Sequence, residues 1–449
     1  MKINFQIFII TFLMISKMSV GQERWTLNKC VEYAIEHNLQ IKKNKYKNES
    51  NREKYKQSYR SLLPSVTATS DYATRFGRSV DPNDNSISDT KFFINNYSIE
   101  ASIDLFKGFQ KLNAIKASNL IYKTTEKEAL QEKYLLALRI MQAFYDVQFL
   151  KGALVIAEEQ TKVSQANYDL VKRKIELGVG AGADLYEAES ILLTEKLNVT
   201  TTFNRLAAAK LVLIQEMNLE NTTEILLVEQ ITKNNELKKN KVQSDSIFKK
   251  AKGFIPIIKA HEFKIEAAKK QLAIERGKLY PSLSLFGRYG TGYVETIKNS
   301  LGETVSFGKQ IKNNAFQVVG VSLNIPISTG WATRSKVKQQ KIACLDAEND
   351  LLMQKQILYK TIQELVLEYN ALKVEYKQTI KNEEVQSLAF TIAQKRYEKG
   401  MISSIELFTA KNLFANSQNQ NLQVKLKLEI NRSTLNFYEG LPVFSIYSK

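Results

Sequence analysis

Apolar positions along the chain follow two rhythms that alternate twice. From Trp25 onward they recur every three or four residues, at Leu27, Cys30, Val31, Ala34, Ile35, Leu39 and Ile41, with Glu and Lys between them. This predicts an amphipathic helix over 26–62, with Thr26 or Asn28 as its cap, ending near Leu63-Pro64. The period then drops to two. Val66, Ala68, Tyr72 and Phe76 fall on one side and Thr67, Thr69, Asp71 and Arg75 on the other. After a polar loop with Asp81-Pro82-Asn83-Asp84, Tyr97, Ile99, Ala101, Ile103 and Leu105 oppose Ser98, Glu100, Ser102 and Asp104. Each run predicts a strand with one apolar and one wet face. From about Gly108 to Gly178 no proline intervenes, and Tyr134, Leu138, Met141, Tyr145 and Gln148 recur at spacings of four and three. A helix of that extent would be roughly 105 Å long at about 1.5 Å per residue, longer than a compact domain holds. A further helix is predicted from Asp184 to about Met217, and the Lys- and Asn-rich stretch 218–243 reads as a linker.

The second half repeats these rhythms. A helix over 244–280 ends in Tyr280-Pro281-Ser282-Leu283, as the first ends in Leu63-Pro64-Ser65-Val66. Leu283, Leu285, Tyr289 and Tyr293 alternate, as do Val319, Val321, Leu323, Ile325 and Ile327, with a polar loop around Gly302 and Lys309 between them. Thr329-Gly330-Trp331 matches Lys107-Gly108-Phe109 and opens a long helix over 330–400, whose Ile362, Leu365, Tyr369, Leu372 and Tyr376 form a coiled-coil-like seam. A short arm over 406–439 completes the copy. In each half the two short helices together are about as long as the long one, as if stacked end to end along it.

The break between each long helix and its short successor also occurs twice. Gly178 matches Gly400, Asp184 matches Glu406, Leu185 matches Leu407 and Ala188 matches Ala410, all 222 positions apart. A glycine that accepts the left-handed conformation stops one helix, small residues turn the chain, and a carboxylate meets the positive end of the next. The predicted organisation is a leader over 1–21, a first repeat over 22–217, a linker over 218–243, a second repeat over 244–440 and a tail over 441–449.

Composition narrows the function classes. Lys2, the apolar run from Ile7 to Ile15 and Ser19-Val20-Gly21 have the form of an export signal cleaved before Gln22, with no cysteine after the apolar run for a lipid anchor. No later stretch of eighteen apolar residues predicts a transmembrane helix. The formal charge is +18, or +16 without Lys2 and Lys17, and the basic residues are spread along polar helix faces rather than clustered. On an exported chain they make a solvated surface or one drawn to anionic lipid headgroups, rather than a nucleic-acid site. Cys30 and Cys344 sit in apolar helix patterns and read as buried thiols, not a disulfide or metal cluster. His37 and His261 lie on polar helix segments, do not correspond under the repeat, and read as exposed. No phosphate-binding loop, nucleophile elbow or metal-ligand spacing is present, and Gly178, Gly180 and Gly182 follow a helix rather than a strand. The expectation is a protein that is not an enzyme and has no cofactor, metal or nucleic-acid partner.

Strands of roughly 11 to 14 residues are long enough to cross a bilayer when tilted. Four of them do not close a barrel, and an open edge is not tolerated in lipid, so several copies must combine. A soluble sheet packed on helices, or a trimeric coiled-coil spacer or adhesin without a pore, is the rival architecture.

The leader, Leu27-Asn-Lys-Cys-Val-Glu-Tyr-Ala-Ile-Glu-His-Asn38, the twin Pro-Ser strand starts, Tyr397-Glu-Lys-Gly400 with Ile405-Glu-Leu407, and Leu177-Gly178 with Ala183-Asp-Leu185 together resemble the TolC-like outer-membrane efflux proteins over residues 25–440. The resemblance implies a mainly α protein with transmembrane β. In such a homotrimer twelve strands form one outer-membrane barrel, continuous with a periplasmic α-barrel of long hairpins, and the linker and tail form an equatorial belt. It implies a passive exit duct for efflux or type I secretion that docks a periplasmic adaptor and an inner-membrane transporter. Carried onto matching positions, Gly178, Leu185, Gly400 and Leu407 would shape the hairpin tips, while Val179, Ala181, Ile402 and Ser403 would face the adaptor. Tyr397 matches a family tyrosine that tethers the closed state, and Glu406, with Asp184 as its repeat counterpart, an acid of the periplasmic constriction. Ile402 stands where the family's tethering arginine would be and Thr409 where a second acid would be. Glu406 reads equally as a helix-start carboxylate, and Tyr397 equally as an inter-helix packing residue.

Overall fold

The structure is a computed structural model that describes residues 24–80, 86–89, 91–228 and 243–441. The expected leader, the Asp81–Asp84 loop, most of the expected linker beyond 228 and the tail from 442 lie outside the described residues. The chain divides into two compact units. One takes the described residues within Met1–Lys45, Glu128–Ile258 and Gln354–Lys449, and the other takes Tyr46–Lys127 and Lys259–Met353.

In chain order the elements are β1 (Arg24–Trp25), α1 (Leu27–His37), α2 (Leu39–Arg60), β2 (Ser65–Arg75), β3 (Arg78–Val80), β4 (Ile87–Asp89), β5 (Phe92–Lys107), α3 (Gln110–Glu176) and α4 (Gly182–Met217). They continue with β6 (Leu226–Leu227), α5 (Ser244–Phe254), α6 (Pro256–Gly277), β7 (Ser282–Val294), α7 (Phe307–Asn313), β8 (Phe316–Asn324), α8 (Ala332–Glu398) and α9 (Ser404–Tyr438). The two long helices are 67 residues each. They begin 222 positions apart, just after left-handed residue pairs, Gly108-Phe109 and Gly330-Trp331.

Each helix expected before a strand pair is two helices. At Asn38 the backbone is extended, and the Asn38 side chain holds the break. Its Oδ1 accepts from the Gln40 and Ile41 amides while Nδ2 donates to the Glu216 carbonyl. Capping from within the chain outcompetes helix continuation there. In the second half the break falls at Ile255, which precedes Pro256 and is driven out of the helical region by the proline ring. Thr26, of the two candidates, is the N-cap of α1 and accepts from the Lys29 amide.

The helical unit is built around one apolar cluster. Leu27, Cys30, Val31 and Ala34 of α1, Leu136 to Leu150 of α3, and Leu206, Leu213, Ile214 and Met217 of α4 interlock. One window of α3 is apolar enough to cross a membrane by length and composition alone, but Leu136, Ile140, Phe144 and Leu150 of this helix pack in the cluster. The α8 seam is buried at Ile362, Val366, Tyr369 and Leu372, with Leu365 and Tyr376 half-buried. A second row on the same helix, Met353, Ile357, Leu367, Val374, Val385, Leu388 and Ile392, lies exposed at heptad spacing. Arg24 and Trp25 pair in parallel with Leu226 and Leu227, so part of the expected linker is strand. Both cysteines are free and buried, as expected. His261 is not exposed as expected; at 8% exposure it lies inside, on a helix face that the charge pattern did not reveal.

The other unit carries an antiparallel sheet in the order β2-β5-β7-β8. Val66 faces Ala101, Ile99 faces Tyr289, and Leu285 faces Val321, so the alternating positions of the four strands fall on a single apolar face, except Leu105, which lies in a register shift where Phe106 pairs with Leu283 instead. Thr67, Glu100 and Arg288 line up on the opposite face. Phe76 lies past the end of β2, and Ile325 and Ile327 lie past the end of β8, where Pro326 offers no donor. The loop expected near Gly302 and Lys309 contains a helix, α7. Among the described residues, the outer edges of β2 and β8 have no strand partner.

Candidate functional site

The two helix-to-helix breaks and their surroundings all lie in the helical unit. At the first, Gly178 takes φ +77°. Its amide donates to the Ile175 carbonyl and the Val179 amide to the Lys174 carbonyl, both at 2.9 Å. These two bonds close a left-handed C-terminal motif that satisfies carbonyls the helix would otherwise leave free. Ala181 is then the N-cap of α4 without a side-chain bond, and Asp184 stands in the first turn. At the second break, Gly400 takes φ +71° with the same pair of bonds, Gly400 to Tyr397 and Met401 to Arg396. The helix start differs there. Ser403 accepts from the Glu406 amide while Glu406 Oε1 accepts from the Ser403 amide and hydroxyl, a full capping box.

The expected tip residues divide by surroundings. Val179 is 74% exposed, Ala181, Asp184 and Ser403 are exposed, and Leu185 and Ile402 are half-buried. Leu407 is buried, so it is a packing residue of the turn rather than part of its surface. Tyr397 of the second hairpin lies against Lys174 of the first and within reach of the Asp184 charge. The buried Tyr397 ring lies under Lys174 Nζ, at 5.4 Å from the ring centre. Burial pushes its phenol above the usual tyrosine pKa, the Asp184 carboxylate adds to the rise, and a hydrogen bond with the Asn167 side chain opposes it. Glu406 is not part of this group. Its carboxylate is exposed and turned to its own helix start, so in the single chain the helix-start reading is the one its contacts express.

Sequence reading missed a second polar group farther along the hairpins. Lys411 of α9, 2% exposed, reaches Glu195 of α4 at 2.5 Å and Ser164 of α3 at 2.6 Å. Glu195 is itself 6% exposed. Burial lowers the Lys411 pKa, and the Glu195 carboxylate works against that fall. Farther along α9, Asn421 bonds Glu383 and Thr379, and Asn431 bonds Glu368. The signal was in the heptads: Glu195 follows Ala188 by seven and precedes Thr202 by seven, and Lys411 follows Ser404 by seven, all in buried seams. Charged residues at buried heptad positions choose partners and register.

The residues present arrange no nucleophile, acid–base pair or phosphate cradle at the tips. Among the described residues, no cluster of three metal-ligating side chains occurs. What the site offers is two hydrogen-bonded turns with apolar and small residues exposed at their crests, and a tyrosine held between hairpins.

Comparison with known proteins agrees with this architecture. The outer membrane protein TolC of Vibrio cholerae serotype O1 is 23% identical over 241 residues, 52% of this chain and 50% of that protein, so the match spans half of its length. Among solved structures, the Campylobacter jejuni CmeC outer membrane channel superposes with a TM-score of 0.78 at 15% identity, covering 94% of this chain and 87% of that one. The outer membrane protein VceC of Vibrio cholerae gives 0.72 at 14% identity, covering 92% and 96%. The sequence model of the outer membrane efflux proteins matches residues 30–218 and 250–441, and the chain belongs to that family.

Proposed function

We propose that this chain is the outer-membrane exit duct of an efflux or type I secretion system. In this reading it is a homotrimer whose twelve strands make one barrel and whose helices extend it as a periplasmic tunnel. The observation that carries the reading is the four-stranded sheet with one apolar face, one face bearing Asp71, Glu100 and Arg288, and two open edges. Lipid accepts the first face but not the second, and it does not accept unpaired edges, so sister sheets must join β8 to β2 until the ring closes. The exposed heptad row on α8 supports the same assembly, since a helix with two apolar rows is suited to neighbours on two sides. The matching lengths and left-handed starts of the two long helices support the reading of two structural repeats, 22–217 and 244–440, joined by the 218–243 linker.

The crests at Gly178, Val179 and Ala181, and at Gly400, Ile402 and Ser403, are the surfaces offered to a periplasmic adaptor, with Leu185 and Leu407 packing the turns from within. The inner-membrane transporter is engaged beyond it. Tyr397 and Asp184, and Glu406 as the repeat counterpart of Asp184, form the periplasmic constriction once the copies assemble. The duct is passive: it supplies a path, and the transporter supplies the energy.

Ion conductance of the purified protein in planar bilayers tests the reading. Reproducible channels from folded trimers are expected. Silent trimers would favour a spacer without a pore.

A further inference from the structure

The apolar face of the sheet ends, at the edge away from the helix starts, in a group of aromatic rings. Tyr72, Phe93, Tyr97 and Tyr293 lie on that face, and the Tyr72 and Tyr97 hydroxyls are bonded at 2.6 Å. At the opposite end stand the exposed Tyr280, Phe109 and Trp331. Tyr293 and Leu283 are ten strand positions apart. That is about 34 Å along the strand and about 26 Å of height at a ~40° tilt, close to the ~25 Å apolar band between the aromatic girdles of membrane barrels.

Helix α7 sits on the first girdle. Phe307 packs against Tyr97 and Tyr293 at ring separations of 6.5 and 5.5 Å. Thr291, on the apolar face, donates to the Ile311 carbonyl. Gln310, 2% exposed, pins the helix to the strand end: its Nε2 donates to the Val294 and Val305 carbonyls and its Oε1 accepts from the Val294 amide. With Phe307, Gln310 and Ile311 turned to the sheet, Lys309 and Lys312 are left exposed, three residues apart and therefore neighbours on the other side of the helix. The helix contains no acidic residue.

We propose that α7 is an interfacial anchor whose Lys309 and Lys312 bind the phosphates of anionic lipid at the outer rim of the barrel. The inference rests on the duct reading, which puts the apolar face in lipid. A tethered helix at girdle height holds two ammonium groups at the level of the headgroups, where lysine stems lie along apolar surface and the charge reaches phosphate. Six such lysines per trimer would form a cationic collar that fixes the depth of the barrel.

The test uses the full-length trimer in detergent, with phosphatidic acid or phosphatidylcholine as the added lipid and binding read by native mass spectrometry. Wild type is expected to prefer phosphatidic acid, and Lys309→Gln/Lys312→Gln to bind it about 25-fold more weakly, at about fivefold per lysine. A control pair on α8, Lys355→Gln/Lys360→Gln, is expected to leave binding unchanged. Equal loss in both variants, or no loss in the first, overturns the inference, as does displacement of the lipid by inorganic phosphate at equal concentration, which would indicate a free-anion site. Conductance of the same samples separates the two readings: conducting trimers without lipid preference refute the anchor alone, whereas trimers that never conduct refute the duct.

Discussion

Replacing Lys411 with methionine isolates the buried polar group between the hairpins. The aliphatic stem is kept and the ammonium is removed, leaving the Glu195 carboxylate, 6% exposed, without the partner it has at 2.5 Å. Ser164 loses its bond to the same nitrogen. Breaking a buried pair from one side costs about 3–5 kcal/mol, whereas replacing both partners by apolar residues of similar volume is often close to neutral. Lys411→Met is therefore expected to raise the local opening constant of α4 and α9 by about 10²–10⁴-fold, and Lys411→Met/Glu195→Met to recover most of that loss. Hydrogen exchange of the amides around Glu195 and Lys411, measured on trimers under native conditions, reads this constant directly. If the single variant exchanges within about threefold of wild type, or if the double variant opens as readily as the single one, the pair does not hold the hairpins together and the argument from burial is wrong.

Three further outcomes are expected. Gly400→Glu puts a side chain where φ is +71°, at a cost of about 1–2 kcal/mol, and a charge on the crest offered to the adaptor. Trimers should survive and export, followed by susceptibility of cells to the cargo, should be lost; full export would remove Gly400 from the docking surface. Tyr397→Phe removes the hydroxyl that stands beside Asn167 of the other hairpin and should raise the fraction of time the channel spends open in bilayers, whereas an unchanged record would make Tyr397 a packing residue. Cys30, fully buried with its thiol pushed up to about 12, should resist maleimide in the native protein and react once unfolded. Because the native thiol keeps a proton that the unfolded one releases, it should also lower stability as pH rises above about 9, an effect that Cys30→Ala removes in alkaline unfolding scans.

The sequence by itself determined the order and kind of the main elements. Period-two runs and long proline-free stretches are local signals, and Gly178 and Gly400 announce their turns because only glycine takes that backbone without strain. The break at Ile255 is local too, since Pro256 dictates it, although 244–280 was expected as a single helix. The break at Asn38 is not, because it depends on a carbonyl at Glu216 that lies 178 residues away. The same holds for α7, held by Gln310 against the end of β7, and for the burial of His261. The site divides in the same way. The two turns were written in the chain, but Tyr397 meets Lys174, Asn167 and Asp184, and Lys411 meets Glu195 and Ser164, only once separate hairpins lie side by side. A periodic pattern reports which face of an element is apolar. Which polar groups are shut inside that face together is decided by packing, where burial makes an unpaired charge too costly to keep.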